Sequence, residues 1–114
     1  MKTVDLAVAC GFTHAAGEQA HLVHGIFAGD LLSWAMGRAK EGDAWFTVMG
    51  NVNTVAVAAL ADCACVVLCH GAEWDTIALQ KAKEQGVELY CSPLPEFEAA
   101  YLAAAKLNLP LPQA

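Results

Sequence analysis

Two features of this 114-residue chain could do chemistry: a cysteine beside a histidine, and a glycine turn set between apolar runs. Cys69-His70 places a nucleophile type next to a base type. A catalytic cysteine needs its histidine near in space. Neighbouring side chains on an extended strand leave by opposite faces, so this pair does not meet by adjacency alone. His24 is the other candidate base. Cys63, Cys65 and Cys69 share strand parity and are expected on one face. Structural metal sites, however, use C-x2-C on turns, where the backbone wraps the ion. Cys-x-Cys inside an apolar run reads as core, because a buried free cysteine behaves as a small apolar residue. The cysteines number five, an odd count that fits reduced thiols better than a disulfide framework. No catalytic residue, metal or cofactor is assigned.

The second feature is Met49-Gly50-Asn51-Val52-Asn53. Ligands of open α/β sheets sit beyond the carboxyl ends of the strands. A glycine there lets the backbone approach a ligand, and the following helix offers free amides to an anion. The strand ends of this chain carry Gly29-Asp30, residues 49–53, Cys69-His70-Gly71 and Cys91-Ser92. The candidate ligand-binding residues are therefore Asp30, Gly50, Asn51, Asn53, Cys69, His70 and Gly71. The competing reading is structural, with Gly50 a tight turn and Asn51 a helix cap. No GxxxxGK[ST] phosphate loop occurs, which argues against nucleotide hydrolysis or kinase activity.

The elements that must position these residues follow from the apolar pattern. Residues 3–10 read as a short helix capped by Thr3 and stopped by Gly11. Residues 12–16 and 21–28 read as strands, and Asp30 is placed to cap a helix over 31–36. Residues 37–43 are the most polar stretch, expected as an exposed loop. Residues 45–49 form a strand, and a helix runs from Asn51 or Asn53 to about Ala61. Its expected core stripe is Val52, Val55, Ala56, Ala59 and Leu60, yet its opposite face is also nearly apolar. Residues 63–69 are a continuous apolar run, as in a central parallel strand. A helix over about 73–85, a strand over 87–91 and a final helix to about Leu107 complete the series. Leu94, Phe97, Tyr101, Ala104 and Ala105 are the expected buried stripe of that last helix. Pro110 and Pro112 end it, leaving an extended tail over 108–114.

Strand–helix alternation at short spacing predicts an α/β fold: one compact domain over 1–107, with a mostly parallel central sheet of four or five strands and helices on both faces. The chain is 57% hydrophobic and 16% charged, more apolar than a core of this size requires, so a homodimer is expected. The formal charge of −6 and scattered cations exclude the basic footprint of a nucleic-acid binder. No segment reads as a membrane span or signal, and a cytoplasmic protein is expected. His14 and His21 are read as exposed and His24 as half-buried; Trp34, Trp45 and Trp74 are read as core or interface residues.

Residues 29–71, followed by the helix and ELYCSPLPEFEAAYLAA, resemble the DRTGG domain family. The segments that carry the resemblance are Gly29-Asp30-Leu31-Leu32-Ser33-Trp34 with Met36-Gly37, and Thr47-Val48 leading into Asn51-Val52-Asn53. The closer likeness is to its small stand-alone, HPr-kinase-like branch. The resemblance implies a domain like the N-terminal domain of HPr kinase without the kinase domain. It further implies a non-catalytic regulatory or accessory role, a subunit contact, and an anion or adenine-nucleotide crevice at the strand ends. Relatives occur beside CBS pairs in a regulated pyrophosphatase and in phosphotransacetylases. Stand-alone relatives are often encoded near hydrogenase genes, which implies docking on a larger redox enzyme as the alternative role. The signature aspartate–arginine turn is here Gly50-Asn51-Val52-Asn53, and the threonine–glycine–glycine turn is Cys69-His70-Gly71. The change at the first turn removes a fixed cation.

Overall fold

The computed structural model describes residues 1–113. Helix α1 (Thr3–Cys10) precedes strands β1 (Thr13–Ala16) and β2 (Gly25–Ala28). Then helix and strand alternate: α2 (Leu32–Arg38), β3 (Asp43–Thr47), α3 (Val52–Ala61), β4 (Cys65–Leu68), α4 (Thr76–Gln85), β5 (Leu89–Cys91) and α5 (Glu96–Lys106). The five strands form one sheet in the order β1-β5-β4-β3-β2. Pairs β2–β3, β3–β4 and β4–β5 are parallel, and β1 closes the sheet antiparallel to β5. The expected α/β class is what the chain adopts. The expected tail over 108–114 is described to Gln113, and Ala114 lies outside the described residues.

Two apolar layers sandwich the sheet, because its central strands are buried on both faces. On one side α1 and α5 cover Ala44, Phe46, Cys65, Val67 and Tyr90. On the other, α2, α3 and α4 cover Trp45, Val66, Leu68 and Leu89. The parallel strands run in sequence order from β2 to β5, so the sheet has no reversal of strand order. A doubly wound sheet places its ligand crevice at such a reversal. Here the carboxyl-terminal edge is a ledge closed by turns.

Several expectations are corrected. Thr3 is no helix cap: Lys2 holds that position without a side-chain bond, and the Thr3 hydroxyl donates to Glu88 instead. Asp30 caps no helix either, since α2 starts after Leu31 and the Asp30 carboxyl is engaged with β3. Residues 21–24 lie outside β2; Leu22 forms only an isolated bridge with Lys2. Helix α3 buries Thr54, Val55, Val57 and Ala58, whereas Leu60 is 75% exposed. Both helix faces were apolar enough to serve, and packing against the sheet chose the β-branched side. Helix α5 buries Ala99 and Ala103, leaving Phe97 and Tyr101 76% and 68% exposed. Small alanines let α5 lie close to the sheet, and the two aromatic rings stack on each other outside, 5.7 Å apart and nearly parallel. Trp34 is exposed, while Trp45 and Trp74 are core. His24 is exposed, not half-buried.

Candidate functional site

The carboxyl-terminal edge of the sheet gathers the turns after β2, β3, β4 and β5. Asp30, just past β2, accepts hydrogen bonds from the Thr47 hydroxyl at 2.8 Å and from the Val48 amide at 3.0 Å. This fastens the end of β2 to the end of β3. The next link is the Thr54 hydroxyl, which donates to the Met49 carbonyl at 2.7 Å and draws the turn onto α3. The Trp45 indole donates to the Gly29 carbonyl at 2.9 Å from within the sheet.

The glycine turn is occupied by structure. A side-chain carbon on Gly50 would lie 2.6 Å from the Glu73 carbonyl oxygen and 2.9 Å from Leu68. Gly50 is therefore a close-approach glycine against the loop before α4, and its own carbonyl accepts from the Asp75 amide at 2.8 Å. The Asn51 side chain accepts from the amides of Asn53 and Thr54 at 2.9 and 3.1 Å. It caps α3, so two of the amides that would greet an anion already have a protein acceptor.

The turn after β4 pairs two left-handed residues, His70 at φ 61° and Gly71 at φ 71°. Their amides donate to the carbonyls of Leu94 and Ser92, which locks this turn to the segment leading into α5. The His70 imidazole is exposed, and its Nε2 accepts from the Glu96 amide at 3.1 Å, at the start of α5. Beside it the Glu96 carboxyl is pushed up to about 7, first by burial and then by the neighbouring Asp30 carboxyl. Asp30, His70 and Glu96 thus form one polar cluster at this edge.

Cys69 faces the α1–α5 layer and donates weakly to the Val67 carbonyl. Burial, then the Glu96 carboxylate, push its thiol up to about 12. His70 points its ring at Glu96 and His24 lies before β2, at the opposite end of the parallel strands, so neither serves Cys69 as a base. The expectation that Cys63, Cys65 and Cys69 share a face also fails. β4 begins only at Cys65; Cys63 lies in the loop before it and packs into the α2–α4 layer. Burial raises the thiols of Cys63, to about 12, and of Cys65. Among the described residues no cluster of histidine, cysteine and carboxyl groups could hold a metal ion.

Three shallow grooves open along the edge. One of about 500 Å³ lies between Asn51 and the loop at Trp74 and Asp75. Another, of about 420 Å³, is bordered by Gly71, Trp74, Cys91 and Ser92. The third, of about 410 Å³, contains Asp30, Phe27, Trp34 and Arg38. Of the edge residues singled out by the sequence, Asn51, Gly71 and Asp30 therefore each border a different groove, and Gly50, Asn53, Cys69 and His70 line none of the three.

Reading by sequence missed a second polar cluster, at the amino-terminal end of β5. Glu88 is fully buried and accepts from the Thr3 hydroxyl at 2.5 Å, the Tyr90 hydroxyl at 3.1 Å and the His21 amide at 2.9 Å. The His21 ring also bonds it. The signal available was an acid between Val87 and Leu89 in an otherwise apolar strand.

Neither a protein-family model nor a curated protein matches this chain. A solved structure does: the CBS and DRTGG domains of the regulatory region of the Clostridium perfringens pyrophosphatase, complexed with its activator diadenosine tetraphosphate. The TM-score is 0.71 at 10% sequence identity. The match covers 88% of this chain but only 44% of that one. The likeness is one of fold, and the fold is DRTGG-like. Among the described residues no helix is long and apolar enough to cross a membrane.

Proposed function

We infer that this protein is a non-catalytic regulatory or accessory domain of the stand-alone, HPr-kinase-like DRTGG type. In this reading it is a cytoplasmic homodimer that binds an adenine nucleotide or a related anion at the carboxyl-terminal edge of its sheet. The observation that carries the reading is the fold shared with a regulatory region crystallised with a dinucleotide activator. The thiols support the non-catalytic half: Cys69 is the one beside a histidine in sequence, and it is held protonated and without a base. Asp30, Gly50, Asn51, Asn53, Cys69, His70 and Gly71 frame the edge in this proposal. Gly50, Asn51 and Asn53 shape the turn, and Asp30, His70 and Gly71 border solvent.

Dimerisation is proposed through the outer face of α3, where Ala56 and Leu60 remain uncovered. A second reading, docking on a larger redox enzyme of the hydrogenase type, is favoured by one observation. The exposed Phe97–Tyr101 stack is the kind of aromatic pair enriched at protein contacts.

The test is a thermal-shift panel of AMP, ATP, diadenosine tetraphosphate and inorganic phosphate. A bound ligand at 100 times its dissociation constant stabilises by about 2.7 kcal/mol, a clear rise in melting temperature. No shift with any of them at millimolar concentration removes the ligand-binding role.

A further inference from the structure

Within that regulatory reading, we propose that the nucleotide site is the groove of Phe27, Trp34 and Arg38 beside α2, and that its ligand is a nucleoside monophosphate. Trp34 is 55% exposed, although a large indole on a small domain is normally covered. Its ring carries the Arg38 guanidinium, 4.0 Å from the ring centroid. Arg38 has no carboxyl partner within ion-pair distance among the described residues. A guanidinium stacked on an aromatic ring keeps its in-plane donors free for a planar, bidentate acceptor such as phosphate. With one indole face under Arg38, the opposite face of Trp34 is the one left to accept a purine by stacking. The Phe27 ring, itself packed edge-on against Trp45, makes a second apolar wall. The groove, of about 410 Å³, lies within the volume range of small-ligand sites.

The chemistry next to the groove limits the phosphate count. Arg38 and Phe27 also border an adjoining groove of about 430 Å³, which contains Lys40, Glu41 and Asp43. Two cations there are matched by two carboxyl groups, so a polyphosphate chain entering it gains little. One phosphate on Arg38, with the base on Trp34, uses the cation and avoids Glu41 and Asp43; the groove's own carboxyl, Asp30, is turned to the Thr47 hydroxyl and the Val48 amide. This site lies beside Asp30 and does not include the Gly50 turn, after which the Asn53 and Thr54 amides already have an acceptor in Asn51.

The experiment is calorimetric titration of the full chain with AMP, ATP, adenosine and inorganic phosphate. Wild type, Trp34→Ala, Arg38→Ala and the remote exposed variant Phe97→Ala are compared. AMP is expected to bind wild type and Phe97→Ala alike, and ATP more weakly than AMP. Trp34→Ala and Arg38→Ala should each weaken AMP about tenfold or more. AMP binding unchanged in both variants overturns this placement and leaves the regulatory reading standing. Phosphate binding as tightly as AMP, or ATP binding more tightly than AMP, overturns the monophosphate assignment. No binding by any of the four compounds overturns the ligand reading itself.

Discussion

The Thr3 hydroxyl donates to the Glu88 carboxyl across 85 residues of sequence, at 2.5 Å. It ties the first helix to the last strand through a side chain that water does not reach. With Tyr90 and His21 on the same carboxyl, no buried side-chain polar atom among the described residues lacks a partner. Glu88→Leu keeps bulk but strands the Thr3 and Tyr90 hydroxyls and the His21 amide. The expected loss is about 3 kcal/mol or more, since each orphaned buried group costs about 1–3 kcal/mol. Thr3→Val should lose about 1 kcal/mol. Urea unfolding measures both; a Glu88→Leu protein as stable as wild type would show that the network contributes nothing.

Glu96 makes stability depend on pH in a defined direction. Its carboxyl is raised to about 7 in the folded protein, first by burial and then by Asp30. A raised folded pKa means that folding favours the protonated form. The stabilisation is fully present below the unfolded value of about 4.3 and is lost as pH rises through about 7. Wild type should therefore lose stability between about pH 4 and 7 relative to Glu96→Gln, which cannot ionise. Parallel stability–pH curves for the two proteins would contradict this.

The thiols should be slow. The Cys69 and Cys63 thiols are raised to about 12, and those of Cys10, Cys65 and Cys91 are raised as well, so little thiolate exists near neutrality. A disulfide reagent at pH 8 should label native protein far more slowly than urea-unfolded protein, where five thiols react. Half-exposed Cys91 should lead in the native state. Rapid modification of Cys69 would revive a thiol-dependent activity.

Gly50→Ala tests whether the central turn is a packing device. The added carbon meets a backbone carbonyl at 2.6 Å, and backbone cannot swing aside as a side-chain end can. A loss of about 1–3 kcal/mol is expected, with no need for a ligand. An unchanged melting temperature would mean that the loop before α4 yields freely.

The proposed dimer is tested at Leu60. Leu60→Lys places a charge on the uncovered face of α3 and leaves the core untouched. Sedimentation should show a dimer for wild type and a monomer for the variant. A wild-type monomer at micromolar concentration would remove the dimer.

The alternating apolar runs made the parallel sheet and its order of elements legible, because a strand buried on both faces has no polar side to disguise it. Caps were readable only in part: Asn51 caps α3 as its type predicts, whereas Thr3 and Asp30 turn their side chains to Glu88 and Thr47. Faces were harder. In α3 and α5 nearly every position is apolar or small, so periodicity could not tell Leu60 from Val57, or Tyr101 from Ala99. What decided was how closely each backbone could approach the sheet. The edge residues were correctly placed at strand ends, but their allegiances were hidden. Asp30 turns to Thr47, and His70 to Glu96, through contacts between distant segments that no local spacing encodes. The Glu88 cluster depends on Thr3 and His21 in the same way.

The antiparallel pairing of β1 with β5 sets an order of events for the growing chain. Strands β2, β3 and β4 can zip together one after another, each against the one just made. β1 cannot join them, because its neighbour is the last strand to be synthesised. Until residues 89–91 appear, residues 13–16 have no strand to pair with, and Thr3 has no acceptor in Glu88. Closing this long-range contact is the entropically expensive step of folding and is expected to limit its rate. The strand at residues 13–16 is therefore made before every other strand of this sheet and is among the last to find its place.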